Sequence, residues 1–385
     1  MSEELQSQCA TALDAMTARV ETTLEAVGDE FPYYADPESG EWTTTPDGDW
    51  CSGHWLGLLW LAAEHSEEPE RYRRAARRFA NTAIDEMPAH TMFRGLTAHY
   101  VGFGGYDQTG SREYFGMALG GADDMVDLYD EEARQIPLGE FDIRGPENFR
   151  GVETEEKPSG MYIGAVDNIY TALPILWRAY EETGDPQFRD VAISHADRHL
   201  DWYIRDDGST WHHAVFDEEG ALLDQYNELA HSDDSCWARG QGWNIAGLAV
   251  AHNATNAERY LSALEQTTEY YVENSPADLV SYWDFDAPDA PDAPRDTSAA
   301  ALAAYGLLGL ELESKRTAPL RDTGEAILES LLENYVVLDE DDERYGMVTE
   351  TCYNKPGEYV TQNEVVWTDY YLAATVASYL HGEPY

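Results

Sequence analysis

The sequence predicts an all-α protein, an (α/α)6 barrel or six-hairpin toroid, on three observations. Helical periodicity dominates the 385 residues. Segments that are apolar nearly all round are each followed, after a short turn, by a charged amphipathic segment. About twelve such helices can be counted along the chain. An inner ring packed on both sides and an outer ring with one wet face produce this alternation. The expected helices lie near 3–27, 52–64, 68–84, 97–104, 111–133, 166–181, 186–203, 238–252, 256–272, 296–313, 317–335 and 363–380.

Each pairing has its own residues. Gly53-His54-Trp55-Leu56-Gly57-Leu58-Leu59-Trp60 is buried by composition, and the charged helix after Glu68-Pro69 covers it. The segment from Asp167 to Trp177 is answered by the helix after Asp185-Pro186. Gly240-Gln241-Gly242-Trp243 opens a third inner helix, and Thr297-Ser298-Ala299-Ala300-Ala301 a fourth. Pro just inside a helix start is the usual position for it. Long polar segments at 135–163, 206–236, 274–296 and 339–362 connect hairpins and are expected to wall a cleft at one end of the toroid. No composition break marks a second domain, so residues 1–385 read as one.

Composition narrows the functional classes. There are 74 acidic against 24 basic residues, a formal charge of −50, with only Lys157, Lys315 and Lys355 as lysines. The acidity is spread over every segment, which points to a solvated surface and to adaptation to a salt-saturated cytoplasm of the haloarchaeal kind. Nucleic acid is excluded as a partner, because phosphates need clustered Lys and Arg. Cys9, Cys51, Cys236 and Cys352 have no metal-ligand or disulfide spacing, so neither a metal nor a cofactor is expected. The N-terminal Ser2-Glu3-Glu4-Leu5 has no basic, apolar leader, and no apolar run is long enough to span a membrane. A cytoplasmic location with no membrane partner follows as the expectation; the oligomeric state is not legible.

Asp167-Asn168 stands at the mouth of an apolar helix start. Asp167 either caps that helix or, partly desolvated there, serves as a general acid with a raised pKa. Other reactive residues gather at helix starts and loops. They include His99 beside Tyr100, the pair His212-His213, and the run Ser232-Asp233-Asp234-Ser235-Cys236-Trp237-Ala238-Arg239-Gly240-Gln241. In that run Asp233 or Asp234 reads as a cap for the following helix. Aromatic plates, carboxylates and a lone Arg suit a sugar acid, since Arg forks a carboxylate.

These segments together resemble the unsaturated glucuronyl hydrolases, glycoside hydrolase family 88. Trp50-Cys51-Ser52-Gly53-His54-Trp55, Val166-Asp167-Asn168, the run from Ser232 to Gln241, and Tyr282-Trp283-Asp284 leading to Arg295-Asp296-Thr297 carry the likeness. Cys352-Tyr353-Asn354-Lys355-Pro356 and Trp367-Thr368-Asp369 close it. The resemblance implies hydration of the C4=C5 vinyl ether of a terminal unsaturated uronic acid on a lyase-generated oligosaccharide. Asp167 would be the acid/base. Trp50, His99, Asn168, His212, Trp237, Arg239, Gln241 and Lys355 would meet substrate. The family's His-Asp-x-Gly-Phe motif reads His99-Tyr100-Val101-Gly102-Phe103, which puts Tyr100 in the position of Asp167's catalytic partner, and Leu229 stands where a pocket glutamine is due. A rhamnogalacturonyl hydrolase-like or saturated-uronide hydrolase, or a non-catalytic sugar-binding toroid, is the alternative.

Overall fold

The computed structural model describes residues 3–140, 160–311 and 314–382. Most of the expected 135–163 loop, and the end of the expected 296–313 helix, lie outside the described residues.

The outer helix α1 (Glu3–Val27) is followed by α2 (Ser52–His65) and α3 (Pro69–Asp85). Next come α4 (Phe93–Ala98), a π-helical turn (His99–Phe103) and α5 (Gly104–Thr109), which run on without a break, and then α6 (Arg112–Leu128). The later hairpins are α7 (Asn168–Thr183) with α8 (Pro186–Tyr203), α9 (Ala238–Thr255) with α10 (Glu258–Asn274), and α11 (Thr297–Leu308) with α12 (Thr317–Asn334). α13 (Val366–His381) ends the chain and packs on α1.

The inner helices close a ring: α2 on α4 and the π turn, α4 on α7, α7 on α9, α9 on α11, α11 on α13, and α13 on α2. α3, α6, α8, α10, α12 and α1 cover them in turn. This is the (α/α)6 barrel. The ring is tight because inner helices meet at small residues. A Cβ on Gly242 would stand 2.8 Å from the Ala299 carbonyl oxygen, and one on Gly306 2.7 Å from the Ala246 Cα. Both contacts join α9 to α11, and the small residues at these crossing points, Gly242, Ala246, Ala299 and Gly306, allow the backbones to approach this closely.

Two features depart from the sequence expectation. The short helix expected at 97–104 is the centre of a longer one, from Phe93 to Thr109, widened at His99–Phe103. The polar connections also hold two small antiparallel sheets. In the first, β1 (Phe31–Ala35) lies between β2 (Trp42–Thr45) and β6 (Glu364–Val365). In the second, β4 (His213–Phe216) lies between β3 (Ile163–Ala165) and β5 (Leu222–Tyr226). The register Ala165↔His213↔Tyr226 brings strands from two separate connections to one place.

Candidate active site

β3 runs straight into Asp167, and its last hydrogen bonds define where that residue stands. Val166 N donates to His212 O at 2.8 Å, while Tyr170 N and Thr171 N donate to the Asp167 carbonyl. The Asp167 carboxylate makes no capping hydrogen bond to α7. It is 7% exposed, and its Oδ2 has no hydrogen-bond partner among the described residues. Of the two readings of Asp167, the cap is therefore removed. Burial raises its pKa from 3.8 to about 6, against the opposing pull of Arg239 and His213.

His212 Nε2 lies 3.8 Å from Asp167 Oδ2. Burial, with the neighbouring His213 and Arg239, pushes the His212 pKa well down, so this imidazole is neutral. Its ring stacks on His213 with centroids 3.8 Å apart and leans on Trp237 at 4.4 Å. Its backbone N–H donates to Asn227 Oδ1 at 2.6 Å, which ties the histidine to the segment after β5.

Trp237 begins a second group. The Arg239 guanidinium lies between the Trp237 ring, at 4.5 Å, and the Tyr353 ring, at 5.3 Å. Tyr353 in turn stacks on Trp50 at 6.3 Å and 25°. Arg239 Nη1 donates to Asp296 Oδ2 at 2.9 Å and to Cys352 O at 2.8 Å, and Nη2 donates to Tyr353 O at 2.7 Å. The site thus offers a buried carboxyl beside a neutral imidazole, with aromatic faces alongside. That is the equipment for proton transfer to a flat, oxygen-rich ring. Among the described residues, no group of three or more His, Cys, Asp and Glu side chains is placed to hold a metal ion.

The sequence profile of Glycosyl Hydrolase Family 88 matches residues 25–383. The chain belongs to this family. It is 29% identical over 369 residues to the unsaturated glucuronyl hydrolase of Bacillus sp. strain GL1, covering 92% of each chain. It is 28% identical to the unsaturated chondroitin disaccharide hydrolase of Streptococcus pneumoniae, covering 84% of this chain and 80% of that protein. The crystal structure of the Bacillus enzyme, described as responsible for the degradation of glycosaminoglycan, superposes with a TM-score of 0.84 at 26% identity. That match covers 98% of this chain and 97% of the other. As a family 88 member the protein is a glycosidase.

Within this family 88 barrel, Asp167, His212, Trp237, Arg239 and Trp50 lie in one chain of contacts, and the other expected residues lie elsewhere or are turned to other partners. Arg239 is buried with its N–H edges spent on Asp296 and two carbonyls, so it is a charged pocket wall and not a free fork for a substrate carboxylate. Asn168 is fully buried and donates to Ile136 O. Gln241 is buried too, its amide donating to Gly208 O and Thr267 O at 2.8 and 2.9 Å. These amides tie the starts of α7 and α9 to neighbouring backbone, Asn168 to Ile136 and Gln241 to Gly208 and to Thr267 of α10. Lys355 pairs with Glu358 at 2.6 Å.

His99 lines a separate cavity of about 290 Å³, with Tyr170, Trp177, Arg178 and Tyr305. That cavity follows α7 away from Asp167, which places His99 outside the group around His212. Tyr100 is committed to a hydroxyl network, bonding Tyr170 Oη at 3.2 Å and Tyr371 Oη at 3.1 Å. His54 Nε2 extends the network to Tyr371 at 3.1 Å. Burial raises the Tyr100 pKa, so its phenol is a neutral member of an interior network, not a charged partner for Asp167. Neither Asp233 nor Asp234 caps α9, whose cap position is Trp237; the carbonyls of both instead accept hydrogen bonds from Arg205.

Sequence reasoning passed over Asp296 and Tyr353 as site residues. Asp296 carries a readable signal, an Asp-x-Ser start before an alanine-rich helix. Its Oδ1 caps α11 through Ser298 N while Oδ2 meets Arg239.

Proposed function

We propose that this glycosidase removes a terminal 4,5-unsaturated uronic acid from lyase-generated oligosaccharides, with Asp167 as general acid and base. The supporting observation is the buried Asp167 carboxyl, with an unpartnered Oδ2 and a pKa near 6, beside a neutral imidazole. A carboxyl poised there holds its proton at mildly acidic pH and still gives it up readily. The names of the Bacillus and Streptococcus relatives, both hydrolases of unsaturated uronides, favour the same substrate class.

In this reading Asp167 delivers its proton to C4 of the vinyl ether. Positive charge develops at C5 and is shared with the ring oxygen. Water adds at C5, and its proton returns to the Asp167 carboxylate. The resulting hemiketal opens, and the neighbouring sugar leaves with its own hydroxyl restored. One water is consumed, and the carboxyl ends as it began. Neutral His212, close to Asp167 without a hydrogen bond to it, orients the sugar ring or the water, and Trp237, Tyr353 and Trp50 supply flat apolar faces.

The test is loss of the ultraviolet absorbance of the conjugated vinyl carboxylate when purified protein meets unsaturated chondroitin or glucuronyl disaccharides. Steady absorbance with hydrolysis of a saturated uronide would reverse the assignment.

The surface charge and the thiols extend the proposal to the cell. A net charge of −50 is tolerated where molar salt screens it. The four cysteines are free and buried, as suits a reducing cytoplasm. No helix of the described residues is long and apolar enough to cross a membrane.

A further inference from the structure

The backbone of His212 is fastened on both sides, once by backbone and once by a side chain. Its carbonyl accepts from Val166 N at 2.8 Å, one residue before Asp167. Its N–H lies one residue past the last β4–β5 pair, His213↔Tyr226. There the Asn227 side-chain oxygen accepts it at 2.6 Å. The other half of that amide reaches a different segment: Asn227 Nδ2 donates to Asp233 O at 2.9 Å and to Ser235 O at 2.7 Å. Asn227 is fully buried, and its oxygen and both its N–H groups have partners. Those partners fix its orientation. Turned over, the amide would set N–H against N–H and oxygen against two carbonyls.

One amide therefore joins two pieces of the site. His212 lies on the sheet side. Asp233 and Ser235 belong to the turn that leads into Trp237 at the start of α9, and the Trp237 ring meets His212 at 4.4 Å. We propose that Asn227 is a positioning residue, whose amide seats His212 against Trp237 and holds Nε2 at the 3.8 Å gap from Asp167.

The physical reason is the cost of a stranded donor. Without Asn227 the buried His212 N–H loses its acceptor, and the peptide shifts to find another. Any such shift carries the imidazole away from the Trp237 face or changes its distance to the acid. The turn has further supports that the histidine lacks. Arg205 donates to Asp233 O and Asp234 O, both at 3.2 Å, and to Ser235 O at 3.0 Å. Asp284 Oδ2 accepts from His231 N at 2.8 Å. Replacing Asn227 thus loosens His212 more than it loosens the turn.

A double-mutant cycle on the full chain tests this. Asn227→Leu keeps the bulk of the side chain and loses all three hydrogen bonds. Its kcat/KM on an unsaturated uronyl disaccharide is measured in wild type and in His212→Ala. The expected loss is at least about tenfold in the first background and under about twofold in the second. Equal losses in both would overturn the proposal, because a merely structural residue lowers both alike. An unchanged kcat/KM with a lower melting temperature would overturn it too. The crystal structure of Asn227→Leu is the second readout and is expected to show the His212 ring moved off Trp237. A ring still seated at 4.4 Å contradicts the proposal. Asn227→Ser, too short to reach either partner, carries the same measurements should the leucine protein not fold. Only the kinetic comparison rests on the proposed function. A protein inert toward unsaturated uronides would defeat that function, and the position of His212 in the crystal would still decide the role of Asn227.

Discussion

His212 Nε2 stands 3.8 Å from Asp167 Oδ2, beyond hydrogen-bond reach, and that gap leaves the acid's outer oxygen without a partner. A hydrogen bond from the imidazole would stabilise the carboxylate and pull its pKa down. Its absence lets burial dominate, and Asp167 settles near 6. Activity that needs the protonated acid must therefore fall as pH rises through about 6. The kcat/KM profile of the free enzyme is the check, and the alkaline limb should vanish in Asp167→Asn.

The same shift has a stability consequence of definite sign. The folded-state pKa is above the unfolded value, so between 3.8 and about 6 the unfolded chain binds fewer protons and stability falls as pH rises. The accumulated deficit is roughly 3 kcal/mol above that window, at about 1.36 kcal/mol per unit. Asp167→Asn removes it. Denaturant titration should show the variant more stable than wild type at about pH 8, with the difference shrinking toward about pH 4. An equal difference at both ends would remove the burial argument.

Tyr100→Phe separates an interior role from a chemical one. Tyr170 and Tyr371 would each lose a hydroxyl neighbour, at a cost of about 1–2 kcal/mol. Turnover should stay within about threefold of wild type. A loss of about a hundredfold with the fold intact would give the phenol a part in the reaction.

Arg239 is the wall between Trp237 and Tyr353, and Asp296 depends on it for charge balance. Arg239→Met leaves that carboxylate buried and uncompensated, which costs about 3–5 kcal/mol. Adding Asp296→Asn should recover a large part of the loss, as thermal unfolding of both proteins would show. Strict additivity would mean the two side chains do not act as a pair.

Salt tests the reading of the surface. Between low and molar KCl the melting temperature should rise by at least about 5 °C, as screening relieves self-repulsion. A flat response would end the halophilic interpretation.

The hairpins were legible because burial writes itself into helical sequence. α2 and α11 are apolar or small nearly all round and α9 is buried along most of its length, while the outer helices α3 and α10 each keep a wet face. Asp167 was legible for the same reason, as a lone acid at an apolar helix start. The two three-stranded sheets were not, because strands of two to five residues in polar connections are too short for an alternation to register. The amides misled for a related reason. Asn168 follows Asp167 in sequence and Gln241 stands two residues after Arg239, yet helical geometry turns their side chains to backbone carbonyls elsewhere. Adjacency along a helix start does not mean a shared direction. His213 and Glu228 become a pair only through the β4–β5 register, which no spacing in the sequence announces.

The central claim is that Asp167 supplies the proton. Its most direct test is the rate of ultraviolet absorbance loss from an unsaturated uronyl disaccharide, compared between wild type and Asp167→Asn at matched stability. We predict a loss of at least about a hundredfold in kcat with substrate binding retained. Full hydrolysis by the asparagine variant would contradict the account.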